Sequence, residues 1–153
     1  MASVHQSFAK VSRKVHEEHI ELLQRLSELD HALDSLVCYA EVYADLAGVQ
    51  VVHDAANWLS EKLPAHFRLE EEGILASISH QGSRGAAFAR EMKRQHNEIR
   101  TRLAAFRALA DAFAESADLQ QSLIQLQTQG RAFADFAAAH MGTEERKYAA
   151  FAA

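Results

Sequence analysis

Two short segments repeat one pattern: Ala65-His66-Phe67-Arg68-Leu69-Glu70-Glu71 and Ala139-His140-Met141-Gly142-Thr143-Glu144-Glu145 both read Ala-His-x-x-x-Glu-Glu. A helix turns about 100° per residue, so positions i and i+4 stand nearly one above the other. His66 with Glu70, and His140 with Glu144, then each aim an imidazole and a carboxylate at one spot. Facing helices of a bundle grip metal ions from inside in this way. Imidazole and carboxylate are borderline-to-hard donors that suit Fe, Mn, Zn or Co, and no cysteine accompanies them to favour a thiolate site.

The elements that must position these groups show as apolar stripes stepping three and four residues. The first runs from Val15 through Leu22, Leu26, Leu29 and Leu33 to Ala40, broken only by His19. Its helix is expected to begin near Phe8 to Ser12 and to fade before Gly48, whose permissive backbone suits a turn. The second stripe runs from Val49 through Leu59 and Leu63 to His66, Glu70 and Ile74, with Pro64 predicting a bend or local break just before His66. His80 to Gly85 is the clearest loop and divides the chain into halves. A third stripe, Met92 to Phe113, is interrupted by His96; after a polar turn near Glu115 to Asp118, a fourth, Leu119 to Phe151, carries His140, Glu144 and Tyr148.

Four amphipathic helices with short connections predict an all-α, antiparallel up-down-up-down four-helix bundle, a single domain over residues 1–153. Histidines meeting at one level of a hairpin place its turn at their midpoint: residue 42 or 43 for His19 and His66, and residue 118 for His96 and His140. At about 1.5 Å rise per residue, both pairs lie about 30 Å or a little more from their turns. All four histidines can therefore converge at similar depth.

The inward set is His19, His66, Glu70, His96, His140 and Glu144. A lone histidine on an apolar face is usually a hydrogen-bonded core residue. Buried carboxylates, however, cost several kcal/mol unless paired or bound to a cation. One histidine per helix with a duplicated His-x-x-x-Glu favours a metal site over a coincidence of core histidines. If Glu70 and Glu144 bridge two ions, and each ion takes two histidines, coordination positions remain open for a small ligand. His16, one turn before His19, and Glu71 and Glu145 stay open as alternative ligands. His5, His31 and His80 are expected in solvent, His53 on another face, and Tyr148 in the core.

Composition narrows the classes. The chain of 153 residues is 48% hydrophobic and 24% charged with one proline, ordinary for a helical globular protein. A net charge of −5, from 16 basic and 21 acidic residues scattered throughout, offers no cationic patch for nucleic acid or anionic lipid. The single Cys38, expected as a partly buried thiol, forms no intramolecular disulfide, which suits a reducing compartment. No leader pattern opens the chain and no apolar run approaches the roughly 18 residues of a membrane span, so a cytoplasmic location is expected.

The order His, His-x-x-x-Glu, His, His-x-x-x-Glu on four helices resembles the hemerythrin-like, or HHE cation-binding, domain over nearly the whole chain. The resemblance implies a non-haem di-iron centre: two iron ions bridged by Glu70, Glu144 and an oxo or hydroxo group, and reached by NO, O2 or peroxide. It carries His19, His66, Glu70, His96, His140 and Glu144 over as ligands. Oxygen-carrying hemerythrins have a His-x-x-x-His pair on the third helix, whereas Met92 and Arg100 stand four residues either side of His96. The site thus resembles the four-histidine variety of the iron-sulfur cluster repair proteins, whose amino-terminal cysteine pair has no counterpart here. The expected function is binding of NO or O2 for scavenging, sensing or storage. The alternatives are a di-iron enzyme acting on NO or peroxide, an iron donor in cluster repair, or a helical interaction module. Lys62 and Gln95 beside the histidines, where acidic groups would serve proton delivery, favour binding over turnover.

Overall fold

The computed structural model describes residues 2–39 and 46–152. Helix α1 spans Ala2–Tyr39 and α2 spans Leu46–Leu69; a π-helical turn, Glu70–Ile74, and a short helix α3, Leu75–Ser79, continue it. Helix α4 is Gly82–Ala112, ending in a 3₁₀ turn at Phe113–Glu115, and α5 is Leu119–Ala152. Among the described residues there are four long helices and no strand. Helix α1 packs against α2 and α5, and so does α4, giving each long helix two long neighbours. No helix of the described residues is long and apolar enough to cross a membrane.

The stripes become the core. Leu22, Leu26, Leu29 and Leu33 of α1 meet Leu59, Leu63 and Phe67 of α2, Ile99 and Phe106 of α4, and Leu126 and Phe133 of α5 in one large apolar cluster. Each fully buried side chain of this size contributes about 1.5–3 kcal/mol against the entropy of ordering it. A smaller cluster, including Val15, Ile74, Ile78, Met92 and Tyr148, lies apart from it. His19 falls between Val15 and Leu22, His66 between Leu63 and Ile74, His96 between Met92 and Ile99, and His140 between Ala137 and Tyr148. The polar residues therefore form one layer that divides the apolar core in two.

Several local expectations are corrected. Helix α1 starts at Ala2, earlier than Phe8, and Gly48 lies inside the first turn of α2. The first turn, expected near residue 42 or 43, and the side chain of Cys38 lie outside the described residues. Helix α2 runs unbroken through Pro64. Pro64 is exposed, so the Ser60 carbonyl that it leaves without a donor can turn to water. The departure comes later, where the Leu75 N–H bonds the Glu70 carbonyl, a step of five residues. This extra residue shifts the stripe by one position, so that Ile74, Leu75 and Ile78 are all buried.

The loop expected over His80 to Gly85 shrinks to His80 and Gln81, because α4 begins at Gly82 with φ +87°. Gly85 lies within α4, where a Cβ would stand 2.1 Å from the Ile78 carbonyl oxygen; its small size serves close approach of α3 and α4. The polar turn near Glu115 to Asp118 is as expected. Asp118 Oδ1 accepts the Gln121 N–H at 3.0 Å and so caps α5. Leu119, placed on the inner stripe by spacing, is instead 41% exposed at that helix start.

Candidate metal centre

All six inward residues converge. His19, His66, Glu70, His96, His140 and Glu144 are each at most 2% exposed, although their side chains are polar or ionisable. His19 Nε2 lies 3.2 Å from Glu70 Oε1 and 3.3 Å from Glu144 Oε2. His66 Nε2 lies 3.4 Å from Glu70 Oε2. His96 Nε2 is 3.3 Å from Glu70 Oε2 and 3.2 Å from Glu144 Oε1, and His140 Nε2 is 3.0 Å from Glu144 Oε1.

These contacts define two overlapping groups. One donor atom each from His19, His66, Glu70 and Glu144 lie within 4.8 Å of one another, and the same holds for Glu70, His96, His140 and Glu144. Both glutamates belong to both groups. Donors held about 2.0–2.2 Å from a single ion are about 3–4 Å apart, which matches the separations above. Five of the inward-facing atoms have no hydrogen-bond partner: Nε2 of His19, His66 and His140, and Oε2 of Glu70 and Glu144. Buried polar atoms are almost always satisfied. Orphans gathered at one point, all of them lone-pair donors, fit a cation at that point.

A second set of groups aims the first. His66 Nδ1–H donates to Glu18 Oε2 at 2.8 Å, and His96 Nδ1–H to Glu71 Oε1 at 2.8 Å. His140 Nδ1–H donates to Gln95 Oε1 at 2.8 Å, and His19 Nδ1–H to Glu145 Oε1 at 2.7 Å. The carboxylates and the Gln95 amide oxygen accept, so Nδ1 carries a proton and Nε2 is the nitrogen left to face a cation. The four bonds form a ring in which α1 holds the histidine of α2, the chain after α2 holds that of α4, α4 holds that of α5, and α5 holds that of α1. Tyr148, expected as core, is buried and also donates to Glu70 Oε1 at 3.2 Å and Glu144 Oε1 at 3.0 Å.

Carboxylates and imidazoles shift one another within this layer. Burial opposes a charge on His19, but the carboxylates of Glu144, Glu70 and Glu145 outweigh it and push its pKa up to about 10. For His96 burial again opposes, and Glu144 and Glu70 raise it to about 9. Burial would raise Glu144, yet the imidazoles of His140, His19 and His96 hold it well below the usual carboxylate range. The Tyr148 hydroxyl is pushed far up by burial and by Glu70 and Glu144, so it keeps its proton. His19 and His96 thus favour holding protons, which a metal ion bound in the layer would displace.

The remaining sequence candidates fall outside the layer. His16 is exposed and bonds Glu145 Oε2 at 3.0 Å. Glu71 and Glu145 touch the outer nitrogens of His96 and His19. His31 and His80 are exposed, and His53 pairs with Asp111 at 2.6 Å on another face. Contrary to the expectation drawn from Lys62 and Gln95, acidic groups do stand beside the histidines: Glu18, Glu71 and Glu145 each touch one, and Gln95 bonds His140 of the neighbouring helix rather than the adjoining His96. Glu18 escaped sequence reasoning, although a residue with a side-chain carbonyl oxygen, Glu18 or Gln95, precedes the histidine in each half.

Phe67 was also missed, being off the stripe; its ring stacks on His96 with centroids 4.1 Å apart. It closes the floor of a cleft of about 460 Å³ between α2 and α4, whose walls carry none of the six donors. A smaller cavity of about 190 Å³ between α1 and α2 has His66 and Glu18 on its wall. The family model described as the hemerythrin HHE cation binding domain matches residues 10–152. No curated protein and no solved structure matches the chain.

Proposed function

The chain belongs to the hemerythrin HHE cation-binding domain family, and from that premise we propose a single-domain, antiparallel up-down-up-down bundle that holds two non-haem iron ions and binds NO or O2 for scavenging, sensing or storage. One observation carries the reading: two groups of four buried donors share Glu70 and Glu144. His19 and His66 would hold one ion, His96 and His140 the other, and both carboxylates would bridge. Bound there, the ions would supply open coordination positions and electrons to a small molecule.

The chain's own residues prepare that chemistry. Glu18, Glu71, Gln95 and Glu145 lock the imidazoles in one orientation and tautomer. Phe67, Ile99, Met141 and Ile74, all fully buried, keep water from the layer, so charges there act through a low dielectric. The Tyr148 hydroxyl holds its proton toward both carboxylates. The cavity with His66 on its wall offers an opening toward the layer for a diatomic molecule. Iron analysis of protein purified without a histidine tag, then anaerobic titration of the ferrous form with NO followed by optical and EPR spectra, tests the proposal. About two ions per chain and a new NO-dependent spectrum are expected; a loaded protein silent to both NO and O2 overturns it.

A second reading, a di-iron enzyme acting on NO or peroxide, is favoured by Glu18, Glu71 and Glu145. These partly exposed carboxylates lead from solvent to three of the four histidines, and Tyr148 offers a hydrogen bond inside. Product beyond one equivalent per centre under reductant establishes that reading, and a yield that stops at one equivalent removes it.

A further inference from the structure

The ring of outer hydrogen bonds has an internal two-fold pattern with one exception. In the first half Glu18 precedes His19, and Glu71 follows His66 by five residues; in the second Gln95 precedes His96, and Glu145 follows His140 by five. Glu18 and Gln95 therefore occupy corresponding places, one a carboxylate and the other an amide. Their targets correspond too, His66 and His140.

A second asymmetry has the same sense. Glu71, the partner of His96, also accepts from the Arg100 guanidinium at 3.3 Å. Among the described residues Glu145, its counterpart, pairs with the exposed imidazole of His16 beside His19, at 3.0 Å. Glu18 faces Lys14 at 3.9 Å, a looser pair with the lysine side chain 63% exposed. Gln95 donates its amide N–H to Glu91 at 2.8 Å, which fixes its oxygen toward His140; Glu91 is itself bound by Arg94 at 2.8 and 3.0 Å. The pair His19 and His66 is thus backed by two carboxylates. The pair His96 and His140 is backed by one carboxylate that shares its charge with a guanidinium, and by a neutral amide.

Resting on the di-iron reading, we propose that the two ion positions are inequivalent, the His19/His66 position binding its ion more tightly, with Gln95 and Arg100 as the positioning residues that weaken the other. The physical reason lies in the Nδ1–H bond. A carboxylate acceptor draws the proton and makes Nε2 a stronger donor; an amide oxygen, or a carboxylate already paired with a guanidinium, draws it less. Both differences come from permanent chemical identity, an amide in place of a carboxylate and a guanidinium in place of an imidazole.

Anaerobic titration of the full-length apoprotein with ferrous iron, against a chromophoric chelator and by Mössbauer spectroscopy, tests this. Two steps are expected, the second weaker by about 10–100-fold, the range over which partners of metal-bound histidines act. Gln95→Glu strengthens the second step by about tenfold and leaves the first in place, whereas Glu18→Gln weakens the first and leaves the second. Each variant decides alone, so loss of folding in one leaves the other informative. Two equal steps in the unmodified protein, or either substitution acting on the opposite step, overturn the inequivalence while the di-iron reading stands. Absence of bound iron overturns both.

Discussion

The α1–α2 half and the α4–α5 half set the same three donors into the layer, one histidine from the first helix and a His-x-x-x-Glu from the second, yet they differ at most positions around them. Glu18 corresponds to Gln95, Phe67 to Met141, and Ile74 to Tyr148. The backbone differs as well: a π-turn follows Glu70, while α5 runs regularly past Glu144. The contrast separates what a cation requires from what the surrounding protein may vary. Donor type and spacing on the inner face are duplicated. Partners one shell out, and the rings that cover them, have diverged between the halves.

The comparison breaks most deeply at the shared carboxylates. Glu70→Ala and Glu144→Ala each remove a donor from both groups, so each is expected to reduce iron from about two per chain to below one, beyond the 10–100-fold of an outer partner. Elemental analysis after gel filtration checks this. A variant retaining both ions shows that neither group requires its carboxylate.

The next largest effect is on pH dependence of the metal-free protein, to which each half contributes one imidazole. His19 and His96 are raised from 6.5 to about 10 and about 9 in the folded state. Their stabilisation is complete below 6.5 and lost as pH rises through those values. Glu144, held below 4.5, contributes above that value and loses its contribution as pH falls through its folded pKa. Chelator-treated protein is therefore expected to be most resistant to urea between about pH 4.5 and 6.5 and to weaken steadily toward about pH 10. A flat urea midpoint from about pH 6.5 to 10 contradicts the paired-charge description of the layer.

Tyr148→Phe makes the second half resemble the first, where Ile74 offers no hydroxyl. Losing bonds to two charged acceptors is expected to cost the metal-free protein about 1.5–3 kcal/mol, with iron stoichiometry unchanged; denaturant curves and iron analysis measure the two separately. Phe67→Met, which copies Met141, is expected to cost less than about 1.5 kcal/mol in thermal unfolding. A larger loss would show that the stack on His96 matters beyond filling space.

The helices and the inward placement of the six polar residues were legible because both follow from one period. Residues such as Leu26, Leu59 and Phe106 repeat every three or four positions, and His19, His66, His96 and His140 stand on those same stripes. What lies off the stripe was not legible. Glu18 sits on the polar flank, where nothing in a periodic pattern separates it from solvent-facing glutamates such as Glu17 and Glu21. Only the helix crossing brings it to His66. The π-turn was hidden for a similar reason, since Glu70–Ile74 has no local signal for a five-residue step, and its effect appears only as the shifted burial of Leu75 and Ile78. Pro64 misled because its cost depends on which face it occupies, and here that face is open to water.

The outer ring also has an order of assembly. Its bonds span 25, 45 and 48 residues for His96, His140 and His66, but 126 for His19 and Glu145. Long-range links are slow to form, because the chain between them must first be organised. The bond between α1 and α5 is thus the one that closes the circle. A growing polypeptide emerging from the ribosome cannot complete the circle until Glu145 has been made, so the ring as a whole belongs to the nearly finished chain.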